Sequence, residues 1–193
     1  MFKSLGFFKN PRLFLWLNRV ADAAFFYLGG KKMTDEIPYM EEWCERLILH
    51  EGMVLKPYYC PRGKLTIGVG RNLEDNPLSL EEKKALGDYM HGITENGAKM
   101  LLRNDIYRCH NALKKMVQNY DELDSDRQYA LLDMCFQLGV KGLRKFHNML
   151  AAVNKKNFIM AAYECLNSQY AKQTPKRAKR IARTLKTGEW SCI

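Results

Sequence analysis

Apolar and polar positions recur at helical spacing over most of the chain, with one short interruption. Between Tyr39 and His50 the apolar residues at 40, 43, 47 and 48 predict an amphipathic helix that ends near Glu51-Gly52. Lys56 to Cys60 and Lys64 to Val69 then read as two short strands joined by Pro61-Arg62-Gly63, a turn in which proline fixes φ and glycine frees it. Beyond this hairpin every pattern is helical. Ser79-Leu80-Glu81-Glu82 is a capping box, and Thr94 precedes a long helix to about Met116 carrying Met100, Leu101, Ile106 and Leu113. Ser125-Asp126-Arg127-Gln128 reads as a second capping box, followed by Ala130, Leu131, Met134, Cys135 and Leu138, with Gly139 as a stop. Helices from Phe158 to about Ser168 and from Pro175 to Lys186 complete the set, and no internal repeat is visible.

The first 33 residues follow a different pattern. Lys3, Lys9, Arg12, Arg19, Lys31 and Lys32 stand against one acid, Asp22, around an apolar run from Leu13 to Leu28. As a membrane span the run is short, and Asn18, Arg19 and Asp22 sit in its middle, where a charge costs about 2.5 to 3.5 kcal/mol. As a helix it would gather those polar residues with Arg12 in an arc of about 120° and leave Leu13, Leu17, Val20, Ala24, Tyr27 and Leu28 on a wide apolar face. That pattern suits a helix in an anionic membrane interface, an export segment with a loose Ala21-Asp22-Ala23 cleavage site, or a helix packed on the following domain. Gly29, Gly30 and Pro38 bracket a linker, so the chain divides into a segment 1–38 and a domain 39–193.

Composition narrows the class. The chain has 193 residues, 47% of them apolar and 27% charged, enough for a packed core and unlike a disordered or collagen-like chain. With 31 Lys and Arg against 21 Asp and Glu the net charge is +10, which points to a polyanionic partner without choosing one. The stretch Lys172 to Lys186 holds seven of those cations and no acid, yet no aromatic stacking platform is interleaved with them, so nucleic acid ranks low. Six cysteines, Cys44, Cys60, Cys109, Cys135, Cys165 and Cys192, are too sparse for a disulfide scaffold and lack zinc-ligand spacing; no metal or cofactor is expected.

The chemistry-bearing residues cluster around the hairpin. Glu51, Cys60 and Thr66 stand eight and five intervening residues apart, across a helix end and two strands, so all three can line one cleft wall. The segment Leu49-His50-Glu51-Gly52 through Pro57-Tyr58-Tyr59-Cys60-Pro61 to Thr66-Ile67-Gly68-Val69-Gly70 resembles the active-site segment of the T-even phage lysozymes, the endolysins of glycoside hydrolase family 24. That family's signature is Glu, eight residues, Asp or Cys, five residues, Thr, and the sequence carries the Cys form. Phe136-Gln137-Leu138-Gly139 is similar to the family's cleft-lining helix. Gln173 to Arg180 and Thr187-Gly188-Glu189-Trp190 are similar to its C-terminal segment.

The resemblance runs from about residue 41 to the C-terminus and implies an α+β, mostly helical two-lobed lysozyme fold. A small hairpin-containing lobe, about 44–93, would be joined by a long helix, about 94–117, to a helical lobe, about 118–193; residues 1–40 lie outside the resemblance, and their own pattern adds an extra N-terminal helix. It implies an inverting muramidase, active as a monomer on peptidoglycan in the periplasm or cell wall after synthesis in the host cytoplasm, and causing lysis. Glu51 would be the general acid, with Cys60 and Thr66 on the water side, Arg177 as electrostatic support, and Phe136 and Gln137 in the sugar sites. A thiol has an ordinary pKa of about 8.5 against about 3.9 for an aspartate, so the residues leave base, nucleophile and charge stabiliser all open for Cys60. In an oxidising periplasm a disulfide between Cys60 and Cys44 or another thiol would silence it until reduced.

Arg71, Met149 and Glu164 replace a histidine, a serine and an asparagine of relatives, which changes the expected substrate contacts, and His50 stands where relatives carry Asp. Two other classes of function compete: a wall-binding module without turnover, and a cationic membrane-disrupting protein acting through residues 1–33.

Overall fold

The computed structural model describes residues 37–190 and, ahead of them, two paired dipeptides. The chain divides into two compact units, Met1–Glu36 and Ile37–Ile193. In the first, β1 (Tyr27–Leu28) pairs antiparallel with β2 (Lys31–Lys32), Tyr27 opposite Lys32. The helix expected through Leu28 is thus strand at its last two residues, because Tyr27 and Leu28 precede Gly-Gly, a two-residue hairpin signal. The rest of that apolar run, with the membrane, export and packing readings placed on it, lies outside the described residues.

The second unit begins with α1 (Met40–Glu51), whose Trp43, Cys44 and Leu47 are buried while Glu41 and Glu42 occupy the favourable N-terminal turn. Gly52 ends it at φ 74°, a conformation open to glycine, and donates its N–H to the Ile48 carbonyl at 2.9 Å. A three-stranded antiparallel sheet follows: β3 (Val54–Tyr59), β4 (Leu65–Gly68) and β5 (Arg71–Asn72), in that order. Tyr58 pairs with Thr66 and Thr66 with Asn72, so β4 is central. The hairpin matches its sequence pattern, except that Cys60 stands just past the end of β3 in the turn.

Both the Ser79–Glu82 capping box and the Thr94 cap form as the sequence predicts. Ser79 and Glu82 exchange hydrogen bonds at the start of α2 (Leu80–Leu86), and the Thr94 hydroxyl accepts from the Gly97 amide at 3.1 Å to open α3 (Glu95–Met116). At about 1.5 Å per residue α3 spans roughly 33 Å. Its early residues Ala98 and Leu101 pack with Ile67, Leu78 and Ile93 in a small core, while Leu102, Ile106, Cys109 and Leu113 belong to the main helical core. Two clusters joined by one helix are the physical content of the two-lobed architecture.

Beyond α3 come α4 (Ser125–Leu143), α5 (His147–Asn154), α6 (Phe158–Leu166), α7 (Gln169–Gln173) and α8 (Pro175–Thr187). Two sequence expectations are corrected here. The cap of α4 is Asp124, whose carboxylate accepts from the Arg127 amide at 2.8 Å, and Ser125 is already helical. Gly139 is a kink at φ 70° and the helix resumes to Leu143. The short elements β5, α5 and α7 have too few residues to show a period and were not anticipated. Proline at the start of α8 and left-handed Gly188 after it follow the usual asymmetry of helix ends.

Candidate active site

Glu51 is the last residue of α1, held at the helix end because Gly52 turns the chain away. Its Oε1 accepts a hydrogen bond from Arg177 Nη1 at 2.6 Å, a contact bridging 126 residues of sequence. Arg177 lies in the first turn of α8, and the rest of its guanidinium is occupied: Nε donates to Asp133 Oδ2 at 2.9 Å and Nη2 pairs with Asp133 Oδ1. Asp133 is fully buried in α4 between Leu132 and Met134. Burial works against the charge on Arg177, but hydrogen bonding and attraction from Asp133, then from Glu51, hold it above its ordinary value.

The Glu51 side chain keeps a quarter of its surface exposed, against none for Asp133. Its Oε2 faces Gly70, where a Cβ would stand 3.9 Å away, so the β4–β5 turn leaves that oxygen approachable.

The turn carrying Cys60 is closed by two backbone hydrogen bonds, Cys60 N–H to the Lys64 carbonyl at 2.9 Å and Gly63 N–H to the Cys60 carbonyl at 2.8 Å. Cys60 is a half-buried free thiol. The Lys64 and Arg62 amides, which stabilise the thiolate, pull the Cys60 thiol below its ordinary value, with help from the Thr66 hydroxyl and the Arg62 charge. Thr66 is buried in β4, and its hydroxyl donates to the Lys64 carbonyl at 3.0 Å.

Tyr58, two residues before Cys60 and so on the same face of the chain, feels both ends of the site. Burial raises its phenol above the ordinary range, and the negative charges of Cys60 and Glu51 raise it further. Sequence reasoning passed over Tyr58 and Asp133. Strand alternation from Cys60 could have pointed to the first; nothing local marks the second, an acid inside an apolar helix stretch whose partner is 44 residues away.

Phe136 is half-buried against the main core and Gln137 is exposed, both on the last turn before the Gly139 kink. The His50 ring packs near Trp190 with centroids 6.2 Å apart, and burial, then Arg180, push its pKa below the ordinary value. Arg71, which stands in place of a histidine of relatives, is a buried structural cation, bonded to Asp105 at 2.6 Å and Glu82 at 2.9 Å. Met149 is buried, while Glu164 is half-buried. Both line a pocket of about 580 Å³ with Phe146 and Tyr170.

The described cysteines are all free thiols, Cys44 sealed inside the core and pushed up to about 12 by burial. Among the described residues no group of three or more His, Cys, Asp or Glu could hold a metal ion.

Known proteins share this arrangement's sequence. The phage lysozyme family pattern matches residues 49–184. Two slime-mould proteins, probable T4-type lysozyme 2 and probable T4-type lysozyme 1 of Dictyostelium discoideum, are each 32% identical over 152 residues, covering 72% of this chain and 89% of theirs. The pre-baseplate central spike protein Gp5 of Enterobacteria phage T4 is 30% identical over 168 residues, covering 80% of this chain but 29% of that protein. The hairpin, the long joining helix and the Glu51–Arg177 contact all fall inside the matched range. The chain belongs to the phage lysozyme family and has the mostly helical α+β fold of these lysozyme-like glycosidases.

Proposed function

We propose that the chain is an inverting muramidase, hydrolysing the β-1,4 bond between N-acetylmuramic acid and N-acetylglucosamine in bacterial peptidoglycan and lysing cells as a monomer acting on the wall. The observation that carries this reading is the single guanidinium of Arg177 shared between buried Asp133 and the half-open carboxyl of Glu51.

Glu51 delivers a proton to the glycosidic oxygen as that bond breaks, while a water attacks the anomeric carbon from the opposite face. Cys60 takes the proton of that water as thiolate. The Thr66 hydroxyl holds the water, and the proton returns from the thiol to Glu51 through solvent before the next turnover. Arg177 holds the Glu51 carboxyl by one oxygen, while Asp133 answers the rest of the guanidinium. Phe136 and Gln137 contact the sugars, Phe136 by its ring and Gln137 by its amide.

The amide-lined turn around Cys60 supports the base role, because its backbone amides stabilise the thiolate that takes the proton. The test is release of reducing ends from peptidoglycan between pH 5 and 9.5 for the wild type, Glu51→Gln, Cys60→Ser and Cys60→Asp. The expected result is loss with Gln and Ser, and recovery with Asp, whose acid limb moves to lower pH because a carboxylate ionises earlier than a thiol. Wall binding without turnover by the wild type at every pH would overturn the proposal in favour of a binding module.

A further inference from the structure

Away from the cleft, α6 carries an unusual surface. Ile159 is 70% exposed, Tyr163 60%, Leu166 47% and Met160 46%, four large apolar side chains on one nine-residue helix. At about 100° per residue they fall within an arc of roughly 120°, opposite the buried Ala161, Ala162 and Cys165. Contiguous apolar exposure of this kind marks a surface with a partner. On α8 the exposed cations Lys176, Lys179, Arg183 and Lys186 fall in an arc of about 80°.

The two helices lie side by side and antiparallel. Cys165 near the end of α6 donates its thiol hydrogen to the Ala178 carbonyl near the start of α8, at 3.9 Å. Arg127 ties the other ends, lying 4.0 Å over the Phe158 ring while it donates to the Leu185 and Lys186 carbonyls. The apolar arc and the cationic arc thus lie on two helices packed side by side. Glu164, the one acid on either helix, falls outside the apolar arc and lines the pocket, and Arg177 falls outside the cationic arc and reaches Glu51 in the cleft.

We infer that the outer face of α6 and α8 docks the enzyme on an anionic lipid bilayer. Charge complementarity and the apolar stripe together select this occupant. A soluble polyanion would neutralise the lysines and leave Ile159, Tyr163 and Leu166 in water. A second copy of the chain would set one cationic arc beside another. A bilayer takes the apolar side chains at the headgroup boundary and the cations at its anionic surface. No described helix is long and apolar enough to cross a membrane, so the contact is peripheral. It does not rest on the assignment of the cleft.

The test uses the full chain with vesicles of pure phosphatidylcholine and of phosphatidylcholine mixed with phosphatidylglycerol, read by co-sedimentation at low and high salt. Two paired variants, Ile159→Asn with Tyr163→Ser and Lys179→Glu with Lys186→Glu, change exposed side chains outside the cleft. Melting curves check that they fold. The expected result is binding of the wild type to anionic vesicles only, weakened by high salt, and binding at least about tenfold weaker for each paired variant with wall turnover unchanged. Four outcomes overturn the inference: no binding by the wild type, equal binding to both vesicle types, full binding by both variants, which moves the contact to residues 1–33, or a wild-type dimer that dissociates when α6 is changed. A wild type that binds vesicles but turns over no wall keeps this inference and sinks the muramidase reading alone.

Discussion

Arg71 and Arg177 each hold two carboxylates, and they differ in what they leave those carboxylates free to do. Arg71 donates to Glu82 at 2.9 Å and to Asp105 at 2.6 Å, and all three residues are at most 5% exposed. The remaining acceptor sites are filled: Asn104 and the Ser79 amide reach Glu82 at 2.8 and 2.9 Å, while Asn76, at 3.0 Å, and Arg108 reach Asp105. Around Arg177 one carboxylate, Asp133, is equally sealed, but Glu51 is gripped through one oxygen and exposed on the side where Gly70 leaves space. A saturated cluster has no low-cost way to exchange a proton, so it locks β5 to α2 and α3. Around Glu51 one carboxylate oxygen is left open to an incoming group, which the proposed general acid requires.

The comparison breaks most sharply in the activity of Glu51→Gln. Reducing-end release should fall by about 10² to 10⁴, as for loss of a general acid, with an unchanged melting temperature, since the amide still accepts from Arg177. Arg71→Met should do the reverse. Removing the cation leaves buried Glu82 without a cationic partner and Asp105 with Arg108 alone, a cost of about 3 to 5 kcal/mol, seen as a drop of roughly 10 °C or more in thermal melts. Turnover per folded molecule should stay near wild type, and a large loss of turnover with normal melting would move Arg71 into the substrate site.

Asp133→Asn sharpens the comparison from inside the Arg177 cluster. With the charge that answers the guanidinium gone, the pH profile of reducing-end release should change shape relative to the wild type. A uniform loss at every pH would mean that Asp133 only supports packing.

The smallest effect concerns acid stability. Burial would raise Glu82, but hydrogen bonds from Asn104 and the Ser79 amide, with the charge of Arg71, outweigh it and hold the carboxyl below the ordinary glutamate range. Its stabilisation is therefore complete above the ordinary glutamate pKa and is lost as pH falls through the depressed folded value. The loss of stability below about pH 4, read from chemical denaturation midpoints, should accordingly be shallower in Glu82→Gln, which starts from lower stability.

How far these clusters could be read in advance depends on the reach of each signal. Ser79, Thr94 and Gly52 act on backbone groups within three or four residues, and each does in the structure what its sequence position implies. Asp124 and Ser125 compete for one cap, and sequence alone favoured the wrong neighbour because both residue types cap well. The lysozyme motif from Glu51 to Thr66 was legible since helix end and hairpin are contiguous in the chain. Arg177 was legible only through the resemblance, and Asp133 through neither route.

By itself, then, the sequence determined the elements: periodic apolar faces, glycine and proline punctuation, and the Glu51, Cys60 and Thr66 spacing are all local and need no partner to be read. The tertiary structure alone decided what the charges do. Whether an arginine is a sealed strut like Arg71 or a shared hand on an exposed acid like Arg177 depends on which carboxylates, 11, 34, 44 or 126 residues away, the packed core brings within hydrogen-bond reach, and on how much water it leaves beside them.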